Sequence, residues 1–139
     1  IAGIIAMKPR CMIFDESTAM LDPLGRREVL ATMEKLNREE GITVLSITHY
    51  MDEAARADRV IVLSDGQILL DGTPGEVFAH ADTLRTAGLD VPQCTAAVQY
   101  LQARGVRIRG DLNTPEQCAA ALLDAWRTRG GAGRTQAGK

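Results

Sequence analysis

The sequence predicts an α/β fold followed by a small group of helices. Short apolar runs recur along the first half of the chain: CMIF at residues 11–14, ITVLSI at 42–47 and VIVL at 60–63. Stretches with helical spacing of apolar residues separate them. Beyond Gly72-Thr73-Pro74 the strand-like runs stop and only helix-like segments follow. Strands that are apolar along their whole length and alternate with helices belong to parallel sheets covered on both faces.

Residues 2–8 fit the end of a helix stopped by Pro9, because proline drives the residue before it, Lys8, out of the helical region. The run IAGIIAM opens without a cap or polar lead-in, so the sequence is expected to be a piece of a longer chain. Residues 11–14 form the first strand. Asp22-Pro23 is a helix start, with Asp as N-cap and Pro at the first helical position. Val29, Met33 and Leu36 then share a helix face, while Arg26, Arg27, Glu34 and Lys35 are solvated. Gly41 ends that helix, 42–47 is the second strand and 51–57 a second helix. The strand 60–63 meets Asp65-Gly66, a hairpin turn into Gln67-Ile68-Leu69-Leu70.

Short helices are expected over 75–80, 95–104 and 115–128. The last opens with a capping box, Thr114-Pro115-Glu116-Gln117, ahead of Ala119, Leu122, Leu123 and Trp126. The Gly-rich basic segment from Arg127 has the composition of a tail. The division expected is 1–82 for the α/β part, 83–128 for the helical extension and 129–139 for a disordered tail.

At 139 residues, 45% hydrophobic and 24% charged, the chain has the balance of a soluble globular protein. A net charge of −2 gives no reason to expect a nucleic-acid partner. No apolar run approaches the ~20 residues that span a bilayer, and no signal-peptide pattern occurs. Cys11, Cys94 and Cys118 show no CxxC spacing and read as isolated, packed thiols of a reducing compartment. His80 reads as a surface residue, Trp126 as core or subunit packing, and the methionines as core filler. Arg56 and Arg59, flanking Asp58, read as solvated.

One place is chemically odd. The strand CMIF ends on two adjacent carboxylates, Asp15 and Glu16, which repel each other. Thr48 and His49 end the next strand, and in α/β sheets ligands gather beyond such strand ends. The pair either caps the turn at Ser17-Thr18 or faces a cation. In the second case one carboxylate can hold Mg²⁺ that bridges nucleotide phosphates. Its neighbour can polarise a water, and the histidine can reach a terminal phosphate.

The stretches MIFDESTAMLDPLGR and TVLSITHYMDEAARADRVIVLSDGQILLDGTPGEVF resemble, over residues 1–80, the second half of an ABC-type nucleotide-binding domain. The fold this implies is the C-terminal half of a P-loop NTPase with a small helical extension. The resemblance implies ATP and Mg²⁺ as cofactors. It implies Asp15 as the Walker B aspartate near Mg²⁺, and Glu16 as the general base. Asp22 corresponds to the D-loop aspartate that faces a partner subunit, and His49 to the switch histidine near the γ-phosphate. Asp15, Asp22 and His49 are thus the nucleotide-facing set. The family usually has proline after the glutamate; here it is Ser17. The Gly-rich phosphate loop, the Leu-Ser-Gly-Gly-Gln signature and the glutamine loop do not occur in these residues, so half of an active site is expected.

THYMDEA with LRTAGLDVPQCTAAVQYLQARG, and GLDVPQ (88–93) above all, is similar to energy-coupling factor ATPases of the CbiO and EcfA kind. That resemblance implies a prokaryotic ATPase at the cytoplasmic face of the cell membrane that drives uptake of a vitamin or of cobalt or nickel ions. Its implied partners are a second ATPase subunit, a transmembrane energy-coupling subunit and a substrate-binding membrane protein. The alternatives are the ATPase of another ABC importer, or a soluble ABC ATPase acting on DNA or ribosomes. Long insertions or coiled coils would mark the latter, and none is present.

Overall fold

The computed structural model describes Met7 and residues 9–131. Apart from Met7, which stands in a turn, the helix end expected over 2–8 lies outside the described residues, as does the tail from residue 132 onward. The chain divides into two compact units, residues 1–49 and 50–139, each with its own two-stranded sheet.

In the first unit β1 (Cys11–Asp15) and β2 (Thr43–Ile47) flank helix α1 (Pro23–Arg38). The strands pair in parallel, from Cys11 opposite Thr43 to Asp15 opposite Ile47. Asp22 caps α1 as its sequence position predicts: it is extended, and its Oδ1 accepts the Gly25 N–H at 2.8 Å. Such a cap contributes about 1 kcal/mol. Met33 and Leu36 of α1 pack on Met12, Phe14 and Ile42, with Val29, Leu30 and Val44 around them. β1 therefore alternates, with Met12 and Phe14 inward and Ile13 outward at 67% exposure. Ile13 stands opposite Leu45, and both are exposed. A sheet covered on both faces was expected; among the described residues of this unit α1 covers one face.

In the second unit a single helical turn, α2 (Met51–Ala54), precedes β3 (Val60–Ser64) and β4 (Gln67–Gly72). The helix expected over 51–57 is cut to four residues. β3 pairs antiparallel with β4, the hairpin that Asp65-Gly66 predicts; among the described residues it pairs with no other strand, so the place in a parallel sheet expected for its apolar run is not seen there. Asp65 and Gly66 both take positive φ, 50° and 76°, as a type I′ turn requires. Arg59 is exposed, as expected, and also grips Asp71 across the hairpin through Nε at 2.8 Å and Nη2 at 2.7 Å. Those hydrogen bonds hold the Asp71 carboxyl below its ordinary range.

Helices α3 (Pro74–Ala79), α4 (Ala81–Thr86), α5 (Gln93–Ala103) and α6 (Pro115–Gly131) complete the unit. Thr73 and Glu76 form a capping box at α3, and the Thr73 N–H and hydroxyl lower the Glu76 carboxyl's pKa. Val77, Phe78 and Leu84 pack with Ala55, Val62, Ala81 and Val91. Helix α4 is too short for periodicity to reveal and was not anticipated. It ends where Gly88, at φ 78°, lets the Leu89 N–H reach back to the Leu84 carbonyl at 2.9 Å. GLDVPQ is thus a helix stop followed by an anchor, since Val91 and Pro92 are buried.

The capping box expected at α6 is present, with Gln117 N–H on Thr114 Oγ1 at 3.3 Å and Thr114 N–H on Gln117 Oε1 at 3.4 Å. The buried face of α6 differs from expectation. Cys118 is buried with Val98 and Leu112, and Ala121 packs beside it. Leu123 and Trp126 are exposed at 53% and 73%, which removes the core reading of Trp126. The helix also takes in Arg127 to Gly131. Met7 and Met20 are exposed rather than core filler. Cys11 is exposed, correcting its reading as a packed thiol. His80 is exposed as expected. No helix among the described residues is long and apolar enough to cross a membrane.

Candidate functional site

Because β1 and β2 pair without offset, they finish together, with Asp15 opposite Ile47. The Glu16 N–H donates to the Ile47 carbonyl at 2.9 Å, which carries the ladder one residue past the strand. There the chain breaks away sharply. Glu16 has φ 44°, a left-handed conformation that costs a side-chain-bearing residue about 1–2 kcal/mol. The turn is closed by the Ala19 N–H on the Glu16 carbonyl and the Leu21 N–H on the Thr18 carbonyl, each at 3.1 Å.

β2 delivers Thr48 and His49 to the same end. Glu16 Oε1 and His49 Nδ1 are 3.1 Å apart, with each side chain 55% exposed. The contact is therefore set by the two backbones rather than by burial. An ionised carboxylate can only accept, so Nδ1 of His49 is the donor. In the neutral ring Nε2 is then an acceptor, and only the imidazolium donates from both nitrogens. A carboxylate oriented by an imidazole at a strand end is suited to accept a proton from water.

Asp15 is exposed and shares the bare face of the sheet with Ile13 and Leu45. Asp22 is exposed at the start of α1, where one oxygen serves the cap. The structure thus brings Glu16 and His49 into contact, keeps Asp15 beside them in the chain, and gives Asp22 a separate local partner. Among the described residues no three His, Cys, Asp or Glu side chains gather as a metal site. Asp15 fits Mg²⁺ as that ion is ordinarily held beside a nucleotide, by one or two carboxylates with phosphates and waters completing the shell.

Three features were not legible in the sequence: the direct Glu16–His49 contact, the left-handed Glu16 and the burial of Thr18 at 2% exposure. Ser17 was a signal for the second. Proline there would push the preceding residue toward extended conformations, and serine does not.

No protein-family model matches the chain. The chain is 58% identical over 117 residues to the energy-coupling factor transporter ATP-binding protein EcfA1 of Caldanaerobacter subterraneus, covering 84% of this chain. To EcfA1 of Symbiobacterium thermophilum it is 51% identical over 126 residues, 91% of this chain. Over most of its length the chain is thus similar to energy-coupling factor ATP-binding proteins. It spans less than half the length of these relatives, 42% and 44% respectively. The structure of CbiO1 from Clostridium perfringens, described as part of the ABC transporter complex cbiONQ, superposes with a TM-score of 0.54 at 34% identity. That match covers 73% of this chain and 39% of CbiO1. The fold is accordingly part of an ABC ATPase, the fold that the sequence resemblance implied.

Proposed function

We propose that this chain is the portion of an energy-coupling factor ATPase that carries the water-activating edge of the nucleotide site. The observation that supports this most directly is the Glu16 carboxylate 3.1 Å from the His49 imidazole, one residue past Asp15, at the shared end of two parallel strands. Glu16 accepts the proton of the attacking water. His49 orients Glu16 and, as imidazolium, can also donate to a γ-phosphate oxygen. Asp15 would hold Mg²⁺ through water, and the ion, when bound, would supply charge neutralisation for the nucleotide phosphates. Asp22 faces the second ATPase subunit while it caps α1.

The whole ATPase works as a pair at the cytoplasmic face of a prokaryotic membrane. With a transmembrane energy-coupling subunit and a substrate-binding membrane protein, it powers uptake of a vitamin or of cobalt or nickel ions. Residues 1–82 belong to the nucleotide-binding domain, and 83–128 form an extension that serves pairing of the subunits. Exposed Tyr100, Leu123 and Trp126 support that second role.

The test is Glu16→Gln in the full-length ATPase. Glutamine keeps the shape but cannot take the proton, so hydrolysis falls by about 10²–10⁴-fold while ATP binding is kept. Wild-type turnover in a steady-state phosphate assay would remove Glu16 from the base role.

A further inference from the structure

The Glu16 carboxylate meets His49 at 3.1 Å without the support of burial. It is half exposed, as is His49, and its backbone sits in a region that relaxes readily if the turn is free to move. Apart from its two internal hydrogen bonds, the turn has few buried side chains. Ser17, Met20 and Leu21 are exposed, Met20 at 97% and Leu21 at 37%. From Asp15 to Leu24 one side chain is fully buried, Thr18 at 2%. Its carbonyl accepts the Leu21 N–H at 3.1 Å and so closes the second half of the turn that Glu16 opens.

Thr18 also has the right chemistry for a pin. Branching at Cβ restricts χ1, so a buried threonine fixes the direction of its backbone more firmly than an unbranched residue does. A hydroxyl taken out of water must be hydrogen-bonded or it costs stability. A buried threonine in an otherwise exposed loop is therefore a directional anchor rather than filler.

We propose that Thr18 is a positioning residue for the hydrolysis assigned to this edge: its buried side chain pins the Glu16–Leu21 turn and holds the Glu16 carboxylate against His49. The proposal rests on the reading of Glu16 as the base. Thr18 touches no reacting atom and acts through Glu16. Displacing a catalytic group by about 1 Å can cost about 10²-fold in rate.

The experiment uses the full-length ATPase with Thr18→Val, Thr18→Ser and Thr18→Ala, each alone and combined with Glu16→Gln. Valine keeps the shape without the hydroxyl, and serine the hydroxyl without the methyl, so both are expected to fold. Each should lower kcat severalfold, and alanine about tenfold or more, with KM for ATP within about twofold of wild type. In the Glu16→Gln background the Thr18 changes should bring no further loss of the residual single-turnover rate, because the group they act through is gone. Wild-type kcat in both the valine and serine variants would overturn the proposal. So would an equal proportional loss with and without Glu16. Should Glu16→Gln itself turn over like wild type, the base reading fails instead, which is a separate outcome.

Discussion

At 3.1 Å an ionised Glu16 can only accept, so the contact selects a ring of His49 that carries hydrogen on Nδ1, neutral or imidazolium. His49→Ala in the full-length ATPase is expected to lose most turnover yet bind Mg²⁺-ATP, since it removes an orienting group and not a ligand of the metal. Loss of Mg²⁺-ATP binding in a titration would reassign His49. The thiols separate equally cleanly. Cys11 is exposed, whereas burial, with Cys94 nearby, pushes the Cys118 thiol up to about 11 from 9.0. Iodoacetamide should label Cys11 in the native chain and leave Cys118 untouched until it unfolds. A thiol raised on folding contributes stability that is complete below the unfolded value and is lost as pH climbs through the folded one. Denaturation midpoints should therefore fall between about pH 9 and 11, and less so in Cys118→Ala. Asp22 was legible because cap chemistry is local to a few residues. The Arg59–Asp71 pairing was not, because it depends on a hairpin register that no single stretch of sequence states.

At the scale of elements, local punctuation was readable. The Asp22 cap, the Asp65-Gly66 hairpin and the Thr114–Gln117 box all stand where their residues point. Whether the third strand also joins the parallel sheet was not readable, because an apolar run of that length looks the same in a parallel sheet and in a hairpin. Asp22→Ala should lower the stability of the unit that contains α1 by about 1 kcal/mol in chemical denaturation. Gly25→Ala should do similar damage by another route, since its new Cβ would lie 2.9 Å from Asp22 Oδ1. At α3 the Glu76 carboxyl has a folded pKa below its ordinary value. Its contribution is present above the ordinary value of 4.5 and is lost as pH falls through the folded one. Thr73→Ala should flatten that acid dependence, which circular dichroism across pH 2–6 would reveal.

For the molecule as a whole, the sequence disclosed the family and the edge that carries Asp15, Glu16 and His49, because those residues lie in unbroken stretches. It did not disclose which apolar faces stay bare. Ile13, Leu45 and Ile47 in one unit and Ile61, Leu63 and Ile68 in the other are all exposed, and strand-like runs look alike whether or not a neighbour covers them. The 139 residues contain no Gly-rich phosphate loop with its lysine, and most attraction for a triphosphate in this fold comes from that loop. Calorimetric titration of the chain with Mg²⁺-ATP should show no useful affinity; micromolar binding would mean a phosphate site of another kind. In the full-length ATPase, deleting residues 84–139 should weaken pairing in sedimentation, and unchanged dimerisation with unchanged stability would count against the extension's proposed role.

The bond from the Glu16 amide to the Ile47 carbonyl gives that residue a dual character. Its side chain is open to solvent while its amide is tied into the last rung of a parallel ladder. In deuterated water the Glu16 amide should exchange slowly, at a rate set by unzipping of the β1–β2 end, whereas the Ala19 and Leu21 amides, held only by bonds within the turn, should exchange faster. Departure of the carboxylate from His49 by side-chain rotation would leave that protection intact, and departure by fraying of the strands would erase it. One amide signal can therefore tell the two kinds of opening apart.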